Sequence, residues 1–208
     1  MRVKICGLKT IEALEAVIDA RADMAGFVFF EKSPRHLTLD QARVLGAKAQ
    51  GRIAKVALVV DAADDAISAI IHALRPDFLQ LHGHESPPRC ADIRSRFGLP
   101  VIKAFGISTP IDLAKAVGAK ADILLFDAKP PADARHPGGN GIAFDWNILA
   151  QARIDRPWML SGGLDPANVA RAIALSGATG IDVSSGVESA PGVKDLARIA
   201  AFVAAANA

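Results

Sequence analysis

The sequence predicts an α/β protein, a single (β/α)8 or TIM barrel over residues 1–208, and three observations carry that expectation. Eight short apolar runs recur along the chain, each followed by a stretch with helical spacing. The runs are too continuous for half-exposed antiparallel strands, so they fit strands buried on both faces of a parallel sheet. Loops of glycine and serine follow the last two runs, where such a barrel carries its anion-binding turns.

In order, the expected strands are Val3–Ile5, Met24–Phe30, Ala54–Val60, Asp77–Leu81, Val101–Ala104, Ile123–Phe126, Trp158–Leu160 and Ile181–Val183. The helices between them announce themselves in two ways. Apolar residues at Leu14, Val17 and Ile18, and at Ile67, Ile70, Ile71 and Leu74, each make one face to lie on a sheet. Thr38-Leu-Asp-Gln41 reads as a capping box, while Asp165-Pro166 sets an acceptor at a cap and proline at the first helical position. An open doubly wound sheet is the main competitor. It concentrates glycine after its first strand, and Cys6-Gly7-Leu8-Lys9-Thr10 lacks the dinucleotide fingerprint.

Composition narrows the partners. A formal charge of +2, with both signs interspersed, gives no reason to expect nucleic acid or an anionic membrane, so the expected ligand is a small molecule. Only Cys6 and Cys90 occur, and Met-Arg-Val-Lys-Ile-Cys is not the apolar start of a signal peptide, so a reducing cytoplasm is expected. The Ala-rich end from Leu196 to Ala208 falls short of the ~20 apolar residues that cross a bilayer and reads as a helix on the core. Apolar outer helix faces suit either a monomer or a homodimer.

A barrel places function at the carboxyl ends of its strands. Reading the end of each run gives Cys6, Ser33-Pro34-Arg35, Asp61, His82, Phe105, Asp127, Ser161-Gly162-Gly163, and Asp182 with Ser184-Ser185-Gly186. Side chains alternate along a strand, so Lys4 and Cys6 share a face, as do Leu125 and Asp127. If those faces point inward, a thiol and a carboxyl meet across one opening. A cation near Cys6 is expected to lower its pKa below the ~8.5 of a free cysteine. The serine and glycine loops offer backbone N–H groups and hydroxyls suited to a phosphate. Asp127 opens a long segment from Ala128 to Gly141, with Lys129-Pro130-Pro131 and His136-Pro-Gly-Gly-Asn-Gly141, which reads as a lid. The next helix is expected near Phe144-Asp145-Trp146, so Asp127 is not its cap. Arg35 offers a fork for a carboxylate. His82-Gly83-His84 is too short and isolated for a metal-ligand pattern, and no Gly-x-Ser-x-Gly elbow supports a serine hydrolase. Acid–base chemistry on a phosphorylated small molecule remains.

Seven segments then carry a resemblance that runs nearly end to end. They are Lys4-Ile-Cys-Gly-Leu-Lys-Thr10, Gly26-Phe-Val-Phe-Phe with Lys32-Ser-Pro-Arg-His36, Leu79-Gln-Leu-His-Gly83, Leu124-Leu-Phe-Asp127, Gly138-Gly-Asn-Gly141 with Phe144-Asp-Trp146, Ser161-Gly-Gly-Leu164, and Asp182-Val-Ser-Ser-Gly-Val-Glu188. In that order they resemble the phosphoribosylanthranilate isomerases of tryptophan biosynthesis. Asn140 departs from the threonine usual in the family's Gly-Gly-x-Gly loop. The resemblance implies an Amadori rearrangement of N-(5-phosphoribosyl)anthranilate without cofactor or metal. It implies Asp127 as general acid and Cys6 as general base, with Arg35, His82 and Asp182 binding substrate. Gly162, Gly163, Ser184, Ser185 and Gly186 would hold the phosphate. Other phosphosugar barrels share such loops but not Cys6, and a binding protein that has lost catalysis would not need both Cys6 and Asp127.

Overall fold

Alternation along each strand separates two apolar sets, and the fold follows from burying both. The structure, a computed structural model, describes residues 1–129, 138, 143–150 and 152–208. The strands β1 (Arg2–Cys6), β2 (Met24–Phe29), β3 (Ala54–Val59), β4 (Phe78–Leu81), β5 (Val101–Ile107), β6 (Ile123–Ala128), β7 (Trp158–Leu160) and β8 (Gly180–Val183) pair in parallel and in chain order, and β8 closes on β1. One set, including Phe27, Leu79, Phe126 and Ile181, meets the helices. The other, Met24, Val56, Ile102, Ala104, Ile123, Leu125 and Met159, fills the barrel interior, with Cys6, Val28 and Leu58 as a smaller group.

The helices are α1 (Ile11–Asp19), α2 (Leu39–Ala49), α3 (Asp64–Leu74), α4 (Pro87–Phe97), α5 (Pro110–Val117), α6 (Asn147–Ala150), α7 (Val169–Ser176) and α8 (Leu196–Ala206). Leu14, Val17, Ile67, Ile70 and Leu74 are buried as their spacing predicts, each worth about 1.5–3 kcal/mol of transfer free energy. The Thr38–Gln41 capping box starts α2 with both of its hydrogen bonds. None of the helices among the described residues is long and apolar enough to cross a membrane.

Three expectations need correction. The strands β5 and β6 run past their apolar cores, so Phe105 and Asp127 lie inside strands rather than beyond them. Asp165-Pro166 does not begin α7: Asp165 Oδ1 accepts from the N–H groups of Ala167 and Asn168 in a separate turn, and the helix starts at Val169. Nor is the stretch after β8 only a loop. After a 3-10 turn at Ser185–Val187, β9 (Glu188–Ala190) and β10 (Val193–Lys194) form an antiparallel hairpin outside the barrel. Of the expected lid, residues 130–137 and 139–141 lie outside the described residues, including Asn140.

The amino-end rim shows a repeat. Asp23, Asp77 and Asp122 each stand one residue before an even-numbered strand. Their Oδ2 atoms accept from the N–H groups of Val3, Lys55 and Val101 at 2.7, 2.7 and 2.9 Å, on the preceding odd-numbered strand. Each aspartate N–H also donates back to the carbonyl of that same residue. The same clip thus fastens three strand pairs.

Candidate active site

The carboxyl-end mouth is a cleft of about 640 Å3, counting the solvent at its opening. Cys6, Arg35, His82, Asp127, Asp182 and the loops at Ser161 and Ser184 line it.

Strand β1 sets one wall. Lys4 is completely buried in the barrel, and its Nζ donates to Asp182 Oδ1 at 2.9 Å, across a register that pairs Lys4 with Asp182. Cys6 lies one inward position higher, opposite Gly26. A side chain at Gly26 would start 2.9 Å from Cys6 Sγ and 3.1 Å from Lys4 Nζ, so glycine leaves the space those two groups occupy. The expectation of a lowered Cys6 pKa fails here. Burial pushes the thiol above its ordinary value, and the nearby Lys4 ammonium does not compensate. That ammonium is already paired with Asp182, whose own negative charge raises the thiol further. For Lys4, burial favours the neutral amine, but Asp182 and Cys6 outweigh it and hold the ammonium above its usual pKa.

Across the cleft, Asp127 is turned by its own strand end. Oδ1 accepts from the N–H of Ala128 at 2.8 Å, and Oδ2 lies 3.3 Å from His82 Nε2. Behind the imidazole, the fully buried Gln80 sets its amide nitrogen 2.9 Å from His82 Nδ1. With that orientation the neutral ring carries its proton on Nε2, facing Asp127. Gly162, at φ +88°, leaves no room for a side chain: a Cβ would start 2.8 Å from Asp127 Oδ1 and collide with the N–H of Ala128. Gly138 also reaches this corner, where a Cβ would stand 2.7 Å from His82 Nε2.

The loops after β7 and β8 face each other beside these walls. Asn168 Nδ2 holds the Gly163 carbonyl at 2.8 Å, and Ser184 Oγ donates to the Cys6 carbonyl at 3.0 Å. Gly162, Gly163, Ser184 and Ser185 line the cleft, but Gly186 does not. It packs behind, where a Cβ would collide with the Leu164 carbonyl.

Arg35 lines the cleft too, yet its fork is not free as expected. Nε and Nη2 donate to the two oxygens of Glu188 at 2.7 and 2.8 Å, with both side chains buried. Lys194 Nζ reaches the same carboxylate at 2.8 Å. Burial alone would raise the pKa of Glu188, but these two partners hold it below the ordinary value; for Lys194, burial prevails and lowers the ammonium's pKa. Sequence reasoning assigned no role to Gln80, Glu188 or Lys194. Gln80 was detectable, since it shares an inward face with His82; Glu188 was not, because its partner lies 153 residues away.

Residues 3–205 match the family model described as N-(5'phosphoribosyl)anthranilate (PRA) isomerase. The N-(5'-phosphoribosyl)anthranilate isomerase of Nitrobacter winogradskyi is 55% identical over 208 residues, covering 99% of this chain and 92% of that protein. Among solved structures, the Thermotoga maritima phosphoribosyl anthranilate isomerase superposes with a TM-score of 0.90 at 34% identity, covering 100% of this chain and 98% of the other. Another, a phosphoribosyl anthranilate isomerase in complex with reduced 1-(o-carboxyphenylamino)-1-deoxyribulose 5-phosphate, gives 0.87 at 33%, with the same coverage. With a closed eight-stranded barrel, a family model spanning nearly the whole chain and relatives above half identity, this chain belongs to the phosphoribosylanthranilate isomerases, enzymes of tryptophan biosynthesis.

Proposed function

We propose that the cleft isomerises N-(5-phosphoribosyl)anthranilate with Asp127 as general acid and Cys6 as general base, using no metal or cofactor. The observation that carries this reading is the posture of Asp127: one oxygen is pinned by the Ala128 N–H, and the other faces His82 in a cleft that also contains Cys6. Asp127 donates its proton to the furanose ring oxygen as the C1–O bond breaks and the anilino nitrogen forms a Schiff base. The Cys6 thiolate then takes the C2 proton, and that electron pair makes the C1–C2 double bond of an enolamine. Proton addition at C1 and loss of the C2 hydroxyl proton give the ketone. Each proton transfer is worth about 10²–10⁴-fold.

The remaining assignments follow the same geometry. The backbone N–H groups of Gly162, Gly163, Ser184 and Ser185 receive the phosphate, with Gly186 supporting that turn from behind. Arg35 faces the anthranilate carboxylate, and His82 and Asp182 contact the substrate while orienting Asp127 and Lys4. The unit that acts is one domain over residues 1–208, as a monomer or homodimer. Conversion of N-(5-phosphoribosyl)anthranilate, followed by the loss of its fluorescence, tests the reading. It is wrong if purified protein leaves that fluorescence unchanged, or if Asp127→Asn turns over at the parent rate.

A further inference from the structure

Two cations, Arg35 and Lys194, share one carboxylate, Glu188, beside the cleft. Four donors saturate that carboxylate: Arg35 Nε and Nη2, Lys194 Nζ, and the N–H of Gly192 at 3.2 Å. The cluster therefore carries one net positive charge in a buried place, which an anionic ligand would neutralise. Arg35 has five N–H donors in a rigid plane, and Glu188 takes one edge, Nε with Nη2. The other edge, Nη1 with the second Nη2 proton, has no partner among the described residues. It can still grip a second carboxylate through two parallel bonds.

The hairpin that supplies Glu188 and Lys194 also locks the backbone beneath Arg35. Gly192, in its turn, packs so close that a Cβ would stand 2.6 Å from the Pro34 carbonyl, which Lys9 Nζ holds from another side at 3.0 Å. Gly7 makes room for the stem, since a Cβ there would meet Arg35 Cδ at 2.5 Å. Lys194 is tied in turn to the Ser184 carbonyl at 2.9 Å, so the hairpin connects the Arg35 loop to the loop after β8.

We propose that Glu188 is a positioning residue that aims the unoccupied edge of Arg35 into the cleft, and that this β9–β10 clamp sets the preference for a substrate bearing an aryl carboxylate. The inference rests on the isomerase reading above and adds the group that makes Arg35 selective. Glu188→Gln keeps the shape but replaces one accepting oxygen with an N–H donor facing Nη2 or Nε, so the guanidinium loses its fixed plane.

The test compares two ligands by calorimetry: reduced 1-(2-carboxyphenylamino)-1-deoxyribulose 5-phosphate and its phenylamino counterpart without the carboxylate. Glu188→Gln should weaken the carboxylated ligand about tenfold, the loss of one charge-assisted bond, and the carboxyl-free ligand less than about twofold on the same scale. A merely structural role would weaken both alike, and that result overturns the proposal, as does an unchanged ratio. If Glu188→Gln does not fold, Glu188→Asp, which keeps the charge but is too short to span the fork, is read by the same ratio. Parent protein that shows no preference between the two ligands sinks the isomerase reading as well; a clear preference in the parent that survives in both variants sinks the clamp alone.

Discussion

The two rims of the barrel use the same residue type in opposite ways. At the amino-end rim, Asp23, Asp77 and Asp122 each accept from a backbone N–H of the neighbouring strand and return a backbone bond to it. None of the three lines the carboxyl-end cleft. At the carboxyl-end rim, Asp127 gives one oxygen to the backbone and turns the other toward His82 and the cleft. An aspartate that ties a neighbouring strand's backbone holds the fold; one that turns an oxygen into the cleft can exchange a proton with what enters it. What each carboxylate faces, a neighbouring strand's backbone or the cleft, separates structure from chemistry.

That contrast can be broken by exchanging sites. The largest effect is expected at the top: Asp127→Asn keeps the shape, loses the transferable proton, and should lower kcat by about 10²–10⁴-fold with the thermal midpoint unchanged. Cys6→Ala should likewise remove turnover, while Cys90→Ala, in α4 away from the cleft, should not. Steady-state kinetics beside thermal melts decide this, and a melt that falls as steeply as the rate would erase the distinction between the rims.

The mirror experiment is Asp122→Ala. It leaves the N–H of Val101 without its partner, which should cost about 1–3 kcal/mol of stability by denaturant unfolding, with kcat/KM within about twofold of the parent. A large kinetic loss without destabilisation would mean that the lower rim reaches the site. Arg35→Lys comes next. An ammonium cannot meet a carboxylate with two parallel hydrogen bonds, so KM for the anthranilate substrate should rise by the equivalent of about 1–3 kcal/mol.

A pH profile sharpens the upper rim without any substitution. Since burial raises the Cys6 thiol, its base form is scarce at neutral pH and accumulates only as pH climbs beyond the ~8.5 of an ordinary cysteine. The Cys6-dependent limb of kcat/KM should therefore still be rising above that pH, and a plateau already reached by pH 7 would contradict it. The smallest effect is expected on the surface, where Asp40→Ala removes an exposed pair with Arg43 and should change stability by less than about 0.5 kcal/mol.

The strands were legible because short, mostly apolar runs recur with helical spacing after them, and Ala22-Asp-Met24, Pro76-Asp-Phe78 and Ala121-Asp-Ile123 even display the clip as a repeat. Its purpose was not legible, since an aspartate before a strand looks like any turn former. Cys6, Asp127 and the serine and glycine loops could be placed at one mouth because each ends a strand. What escaped were relations between distant strands. The cation expected to help Cys6 is neutralised by Asp182, 178 residues from Lys4, and the free edge of Arg35 depends on a hairpin whose sequence, Glu188 to Lys194, reads as loop.

The closing seam between β1 and β8 has a consequence for how the protein comes to be active. The lower clips join residues 20, 22 and 21 positions apart, short closures that can form early, before the chain is complete. The Lys4–Asp182 pair spans 178 positions, and the Ser184 to Cys6 bond spans the same distance. Strand pairs can thus assemble locally while the cleft does not yet exist. A chain without its last strand would keep the Asp127–His82 wall but lack Asp182, the Ser184 loop and the hairpin that holds Arg35, so the complete site depends on the meeting of the first and last strands.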